Sequence, residues 1–282
     1  MRATERELHG ADGTRLFAED WIGDPNYRNG VVLMHGLGEH GGRHAHVARF
    51  FNACGWSVRT YDHRGHGRSG GKRGDVPDND ALLQDAKIVV DDFAQQLKEP
   101  PLLLGHSMGG LLAARFATGK LSPLRGLILS SPALAIPLSG FQKILLRTLG
   151  AVAPGLGVAN GLQTRYLSHD PAVEQAYKKD PLVHATITPR LLRSMLDYID
   201  AAHAGAASLD IPVLLVVAGD DRLVDAAGSD AFFSRLTPGV GKIHRYKDYY
   251  HEIFNETGKD RVFDDIRGWL ATHHPEIAAA RV

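Results

Sequence analysis

The sequence predicts an α/β protein, a mostly parallel central sheet flanked by helices, and three observations carry that prediction. Short apolar runs recur at Val31–Met34, Ser57–Tyr61, Pro101–Leu104, Leu127–Leu129 and Val213–Val217, each as brief and dense as a strand buried on both faces. Between the second and third runs, Leu82, Leu83, Ala86, Val89, Val90 and Phe93 fall on one stripe of a helix over Asp80–Leu97. Alternation of the two patterns is what strands joined by helical crossovers leave in a sequence.

In chain order, the Asp12-Gly13 pair predicts a hairpin whose second strand ends near Trp21. The parallel strands and the helix over Asp80–Leu97 follow. The stretch 137–208 breaks the rhythm and predicts a helical cap inserted after the sixth strand, which divides the α/β core into 1–136 and 209–282. Inside the stretch, Ser139 and Gln142 resemble a capping box ahead of an apolar stripe at Phe141, Ile144, Leu145 and Leu149, with Gly150 as the stop. Two more helices are expected from Asp170-Pro171 and Thr188-Pro189, where a capping residue precedes proline. Lys242–Tyr246 predicts the last strand and Arg261–Leu270 a closing amphipathic helix.

Composition narrows the function. Lys plus Arg and Asp plus Glu both count 32, so no net field favours nucleic acid or an anionic membrane. The single cysteine, Cys54, excludes an internal disulfide and any CxxC site. The first residues are polar, without the apolar stretch of a secretion signal, and no apolar run approaches the roughly 18 residues of a membrane span, so a cytoplasmic protein is expected.

Two segments match GxSxG: Gly105-His106-Ser107-Met108-Gly109 and Gly67-Arg68-Ser69-Gly70-Gly71. With 31 glycines in the chain the pattern alone carries little weight, and context must decide. Ser107 follows an apolar strand and precedes an apolar helix, the setting that forces a serine into a sharp exposed turn. Side chains in place of Gly105 and Gly109 would collide where strand and helix converge. Ser69 lies among Arg, Gly, Lys and Asp with neither element beside it, and is expected to be a loop serine.

A serine nucleophile needs a histidine to take its proton and a carboxylate to orient that histidine. After the strand ending at Ala218 comes Gly219-Asp220-Asp221-Arg222, and after Tyr246 comes Tyr249-Tyr250-His251-Glu252; both sit where a sheet's carboxyl edge is expected. His251 is the candidate base, and Asp221, Asp220 and Asp225 compete as its partner. The first parallel strand runs into His35-Gly36-Leu37-Gly38, which makes the Leu37 and Met108 amides candidate oxyanion donors.

Gly36, Gly38 and Gly41 also satisfy GxGxxG, with Asp62 at the end of the next strand, so a dinucleotide-binding oxidoreductase is a second reading from another class. It leaves Ser107 and the late Asp and His without a role. His35, His40, His44 and His46 invite a metal reading, but no metal-binding spacing accompanies them.

Taken together, His35–Arg43 (HGLGEHGGR), Tyr61–Ser69 (YDHRGHGRS), Gly105–Gly110 (GHSMGG) and Tyr250-His251 resemble the monoacylglycerol lipase and lysophospholipase-like group of α/β-hydrolases, over most of the chain. The resemblance implies an acyl-ester substrate, an acyl-enzyme on the serine, no metal or organic cofactor, and a lid of helices over an acyl pocket. The stripe at Phe141, Ile144, Leu145 and Leu149 would then line the acyl tunnel or touch a lipid surface. It favours Asp221 through the Gly219-Asp220-Asp221 spacing, and places Glu39 and Arg43 at the polar end of the pocket. Val224 and Phe254 depart from mammalian members, which carry a cysteine and a second histidine there. A short-chain esterase or peptidase of the same fold is the runner-up within the resemblance.

Overall fold

The computed structural model describes residues 3–23, 28–137 and 148–279. Eight strands form one sheet: β1 (Thr4–His9), β2 (Arg15–Trp21), β3 (Gly30–Met34), β4 (Ser57–Tyr61), β5 (Leu102–His106), β6 (Gly126–Ser130), β9 (Val213–Ala218) and β10 (Gly241–Tyr246). Their order is β1-β2-β4-β3-β5-β6-β9-β10. The β1–β2 hairpin is antiparallel and β2 runs antiparallel to β4; every later pair is parallel. The α/β expectation is therefore borne out, with each apolar run in its sheet position.

The period of two explains the layering. On β3, Val32 and Met34 enter the core on one face, while Val31 and Leu33 enter the core on the other. The first core is closed by α2 (Ala81–Leu97), α3 (Met108–Thr118) and α5 (Pro189–Gly205); the second by α1 (Ala45–Ala53) and α7 (Lys259–His273). The charged strand β1 forms one exposed edge, which discourages further strand pairing.

Between β6 and β9 the chain leaves the sheet. It carries the two-residue strands β7 (Val158–Ala159) and β8 (Thr186–Ile187), then α4 (Pro171–Lys179) and α5. The two predicted starts hold: the Asp170 carboxylate accepts from Ala172 N–H at 2.9 Å, and Thr188 Oγ1 accepts from Leu191 N–H at 3.2 Å. The capping box at Ser139 and the stripe at Phe141, Ile144 and Leu145 lie outside the described residues. Gly150 is corrected: 148–152 is helical, so that glycine does not stop the helix. The sequence reading assigns no helix to Ala45–Ala53 or to α6 (Ala227–Phe233). The first starts without a side-chain cap, and the second is met only by Asp225, which lies one residue outside its N-cap and accepts from Ala227 N–H. A short α8 (Pro275–Ala279) closes the described chain. Among the described residues no helix is long and apolar enough to cross a membrane.

Candidate active site

The carboxyl ends of β3, β5, β9 and β10 meet one cavity of about 440 Å³, within the range of small-molecule pockets. Ser107 stands between β5 and α3 with φ 54° and ψ −120°, a conformation that costs a non-glycine residue about 1–3 kcal/mol and must be held by its surroundings. Its backbone is held on both sides: Ser107 N–H donates to Ser130 O at 3.0 Å, and Ser107 O accepts from Leu111 and Ala133 N–H at 3.0 Å each. The flanking glycines are obligatory by contact. A Cβ on Gly105 would come 2.7 Å from Gly110 Cα, and one on Gly109 would run into the carbonyls of Met34 and His35. Strand and helix can thus converge on the serine only where no side chain intervenes.

His251 is buried, and its Nδ1 donates to Asp221 Oδ2 at 2.7 Å, which leaves Nε2 as the basic nitrogen. The other Asp221 oxygen accepts from Leu223 N–H at 2.9 Å and Val224 N–H at 3.1 Å, so the carboxylate is fixed before it meets the imidazole. Burial alone favours neutral histidine, but the Asp221 charge and hydrogen bond outweigh it and raise the His251 pKa above its ordinary value. Burial likewise works against the Asp221 carboxylate, yet the His251 charge and three hydrogen bonds hold its pKa below the usual range. Asp220 instead pairs with the exposed Arg222 at 2.6 Å, and Asp225 accepts from Ala227 N–H at 2.9 Å at the start of α6. Ser107 and His251 line the same cavity, with no hydrogen bond between them. Free hydrolases often tighten that bond only when substrate binds.

Leu37 and Met108 both line the cavity, and among the described residues neither main-chain N–H meets an acceptor. Two free donors beside a strained serine are what a developing oxyanion requires. Glu39 lines the cavity too: a Cβ on Gly36 would lie 2.9 Å from Glu39 Oε1 and 3.2 Å from Ser107 Cβ, so this carboxylate neighbours the serine. Arg43 does not itself line the cavity but donates to Glu39 and Glu252, which do.

The dinucleotide reading fails on hydrogen bonds. Gly36 N–H donates to Glu39 Oε1 at 2.6 Å and Gly41 N–H to Asp62 Oδ1 at 2.8 Å, so the loop amides are taken by the chain's own carboxylates. Asp62, the ribose-binding candidate, also accepts from Arg68 N–H at 2.7 Å. The four early histidines disperse: His35 donates to Gly36 O, His40 meets Asp180, His44 meets Glu39 and His46 meets Phe254 O. Among the described residues no group of three or more His, Cys, Asp or Glu could hold a metal ion.

Sequence reasoning missed two features. Glu252 stands beside His251 in the sequence, but nothing local signals its pairing with Arg43, 209 positions away. The apolar lining comes from Leu192 and Met195 of α5, with Ile136 and Leu167, as well as from Leu149 of the expected stripe. The amphipathic pattern of α5, which starts at Thr188-Pro189, was the signal for that wall.

Over residues 25–258 the chain matches the family described as serine aminopeptidase, S33. It is 36% identical over 275 residues to a monoacylglycerol lipase of Mycolicibacterium smegmatis, spanning 96% of this chain and 98% of that one. It is 30% identical to phospholipase YtpA of Bacillus subtilis, spanning 85% of this chain and 93% of that one. Among solved structures, the monoacylglycerol lipase of Paleococcus ferrophilus superposes with a TM-score of 0.81 at 34% identity, over 97% of this chain and 100% of that one.

Proposed function

The chain belongs to the serine aminopeptidase S33 family of α/β-hydrolases, and from that premise we propose that it hydrolyses monoacylglycerols through an acyl-enzyme on Ser107. The observation that carries the reading is the Asp221–His251 pair facing the same largely aliphatic cavity as the strained serine.

In this mechanism His251 Nε2 takes the Ser107 proton as Oγ attacks the ester carbonyl. The Leu37 and Met108 amides receive the oxyanion, each worth about 3–4 kcal/mol in typical sites. The imidazolium, stabilised by Asp221, protonates the leaving alcohol. Water deprotonated by the same histidine then releases the fatty acid.

The acyl chain is read as lying along Ile136, Leu149, Leu167, Leu192 and Met195. Residues 137–208 act as the cap over that chain. Exposed Val152 and Leu156 are its side toward a lipid surface, and the cytoplasm is the compartment in which we place the enzyme. Around the serine, Glu39, Glu252 and Asp221 stand against Arg43, so a neutral glycerol head group is favoured over a phosphate-bearing one. An aminopeptidase needs an anion free to hold the substrate ammonium group, and Glu39 and Glu252 are both engaged by Arg43.

The test compares a monoacylglycerol with lysophosphatidic acid and with an aminoacyl amide, beside fluorophosphonate labelling of the wild type and Ser107→Ala. The expected result is labelling lost in the variant and fastest turnover of the monoacylglycerol. Failure of the folded wild type to label would overturn the nucleophile, and faster turnover of the phosphate ester would overturn the head-group assignment.

A further inference from the structure

Arg43 lies between two carboxylates from opposite ends of the chain. Its Nη1 donates to Glu39 Oε2 at 2.5 Å and to Glu252 Oε1 at 2.7 Å, and its Nη2 donates to Glu252 Oε2 at 2.9 Å. All three side chains are nearly buried, at 10%, 3% and 5% exposure for Arg43, Glu39 and Glu252. Each acid has further anchors. Glu39 Oε1 accepts from Gly36 N–H, and Glu252 Oε2 accepts from Asn255 Nδ2 at 2.7 Å. One end of the cluster therefore secures the loop that carries Leu37, and the other is the residue next to His251.

Stability is a poor reason for such a cluster, because desolvating two carboxylates and a guanidinium costs as much as their attraction returns. Its surroundings point elsewhere. The groups facing His251 are Asp221 after β9, Glu252 on its own loop, His106 at the end of β5, and Glu39, Arg43 and His44 between β3 and α1. The His106 ring lies 4.8 Å from that of His251, and burial pushes the His106 pKa down to about 3, so it is neutral. His44 meets Glu39 through Nε2, while its Nδ1 is buried with no partner among the described residues. From the segment between β6 and β9, Tyr166 O accepts from His251 N–H and Leu167 O from Glu252 N–H, and the Tyr177 ring lies 4.7 Å from the Arg43 guanidinium. Three carboxylates thus stand around the imidazole, against the Arg43 guanidinium and the His44 ring nitrogen that meets Glu39.

We propose that Glu252 is a positioning residue for His251: clamped through Arg43 to Glu39, it locks the base loop to the loop bearing Leu37 and keeps a carboxylate charge beside the imidazole. The proposal rests on the reading of His251 as the base for Ser107. Burial works against ionisation of Glu252, yet Arg43 holds its pKa below the ordinary range, so the carboxylate is charged at neutral pH. Glu252 and Glu39 also stand, after Asp221, among the groups that raise the His251 pKa against burial.

The experiment measures kcat/KM and the fluorophosphonate labelling rate of Ser107 across pH for wild type, Glu252→Gln, Glu252→Asp and Glu39→Gln, each verified as folded by its melting transition. Glutamine keeps an acceptor for Arg43 but removes the charge. The acid limb of Glu252→Gln should move to lower pH by about half to one unit, because an imidazolium with less negative charge beside it loses its proton sooner. The plateau should fall about three- to tenfold as the base weakens and its loop loosens. Glu252→Asp should restore the wild-type limb, and Glu39→Gln, altered on the other loop, should move it in the same direction as Glu252→Gln. A limb that stays in place or moves up in both folded glutamine variants overturns the proposal. A wild type that does not label at Ser107 overturns the base assignment beneath it, which is a different result.

Discussion

Ser69 and Ser107 occupy the same five-residue pattern in one chain and are used in opposite ways. The Ser69 hydroxyl is saturated by backbone: it donates to Asp62 O at 2.6 Å and accepts from Phe17 N–H at 2.9 Å, stitching its loop to β2. Ser107 Oγ makes no hydrogen bond among the described residues, while the main chain beneath it is held in a strained turn. A hydroxyl whose bonds are all met by the fold is structural. One presented by strain, with its bonding capacity unspent, is available for chemistry. The glycines differ as well: those around Ser107 admit the close approach of strand and helix, whereas Gly67 and Gly71 take positive φ in a loop, Gly67 also making room for the Asp62 carboxylate.

Substitution of the two serines should separate them most sharply. Ser107→Ala is expected to lower kcat by about 10⁴- to 10⁶-fold with little change in melting temperature. Retained turnover in that variant would place the nucleophile elsewhere. Asp221→Asn is expected to lower kcat about 10⁴-fold, since an amide no longer enforces the tautomer with Nε2 unprotonated. It should also move the acid limb. In the wild type, kcat/KM rises with pH through a His251 value above the ordinary 6.5, because the base acts when deprotonated; without the carboxylate, burial dominates and the limb falls to lower pH. An unmoved limb would detach Asp221 from the histidine that titrates. Ser69→Ala is the smallest change in activity and the clearest in stability. It leaves the buried Phe17 N–H without its acceptor and should cost about 1–3 kcal/mol in denaturant unfolding at unchanged kcat. A folded, fully stable Ser69→Ala with reduced turnover would reverse the roles assigned here.

Much of the fold was legible because local rules and the final structure agree. Buried parallel strands announce themselves as apolar runs, and Asp170-Pro171 and Thr188-Pro189 carry their caps in the adjacent residue. Helix α1 was not legible, since it follows a glycine-rich turn with no capping side chain to mark its start. Gly150 misled because a glycine in a helix is tolerated at a cost of about 1 kcal/mol, so it marks an end only when the backbone turns there.

By itself the sequence determined the alternation of elements and the order of Ser107, Asp221 and His251 along the chain, because burial period, turn chemistry and strand-edge placement are local properties. It also separated the two GxSxG serines, since the residues on either side decide whether strand and helix flank the turn. Only the tertiary structure decided which of Asp220, Asp221 and Asp225 reaches His251, and that Arg43 is shared between Glu39 and Glu252 across 209 positions of chain. Those outcomes depend on which side chains converge once the sheet is assembled, and a carboxylate in a polar turn looks the same in sequence whether it meets water, an amide or an imidazole.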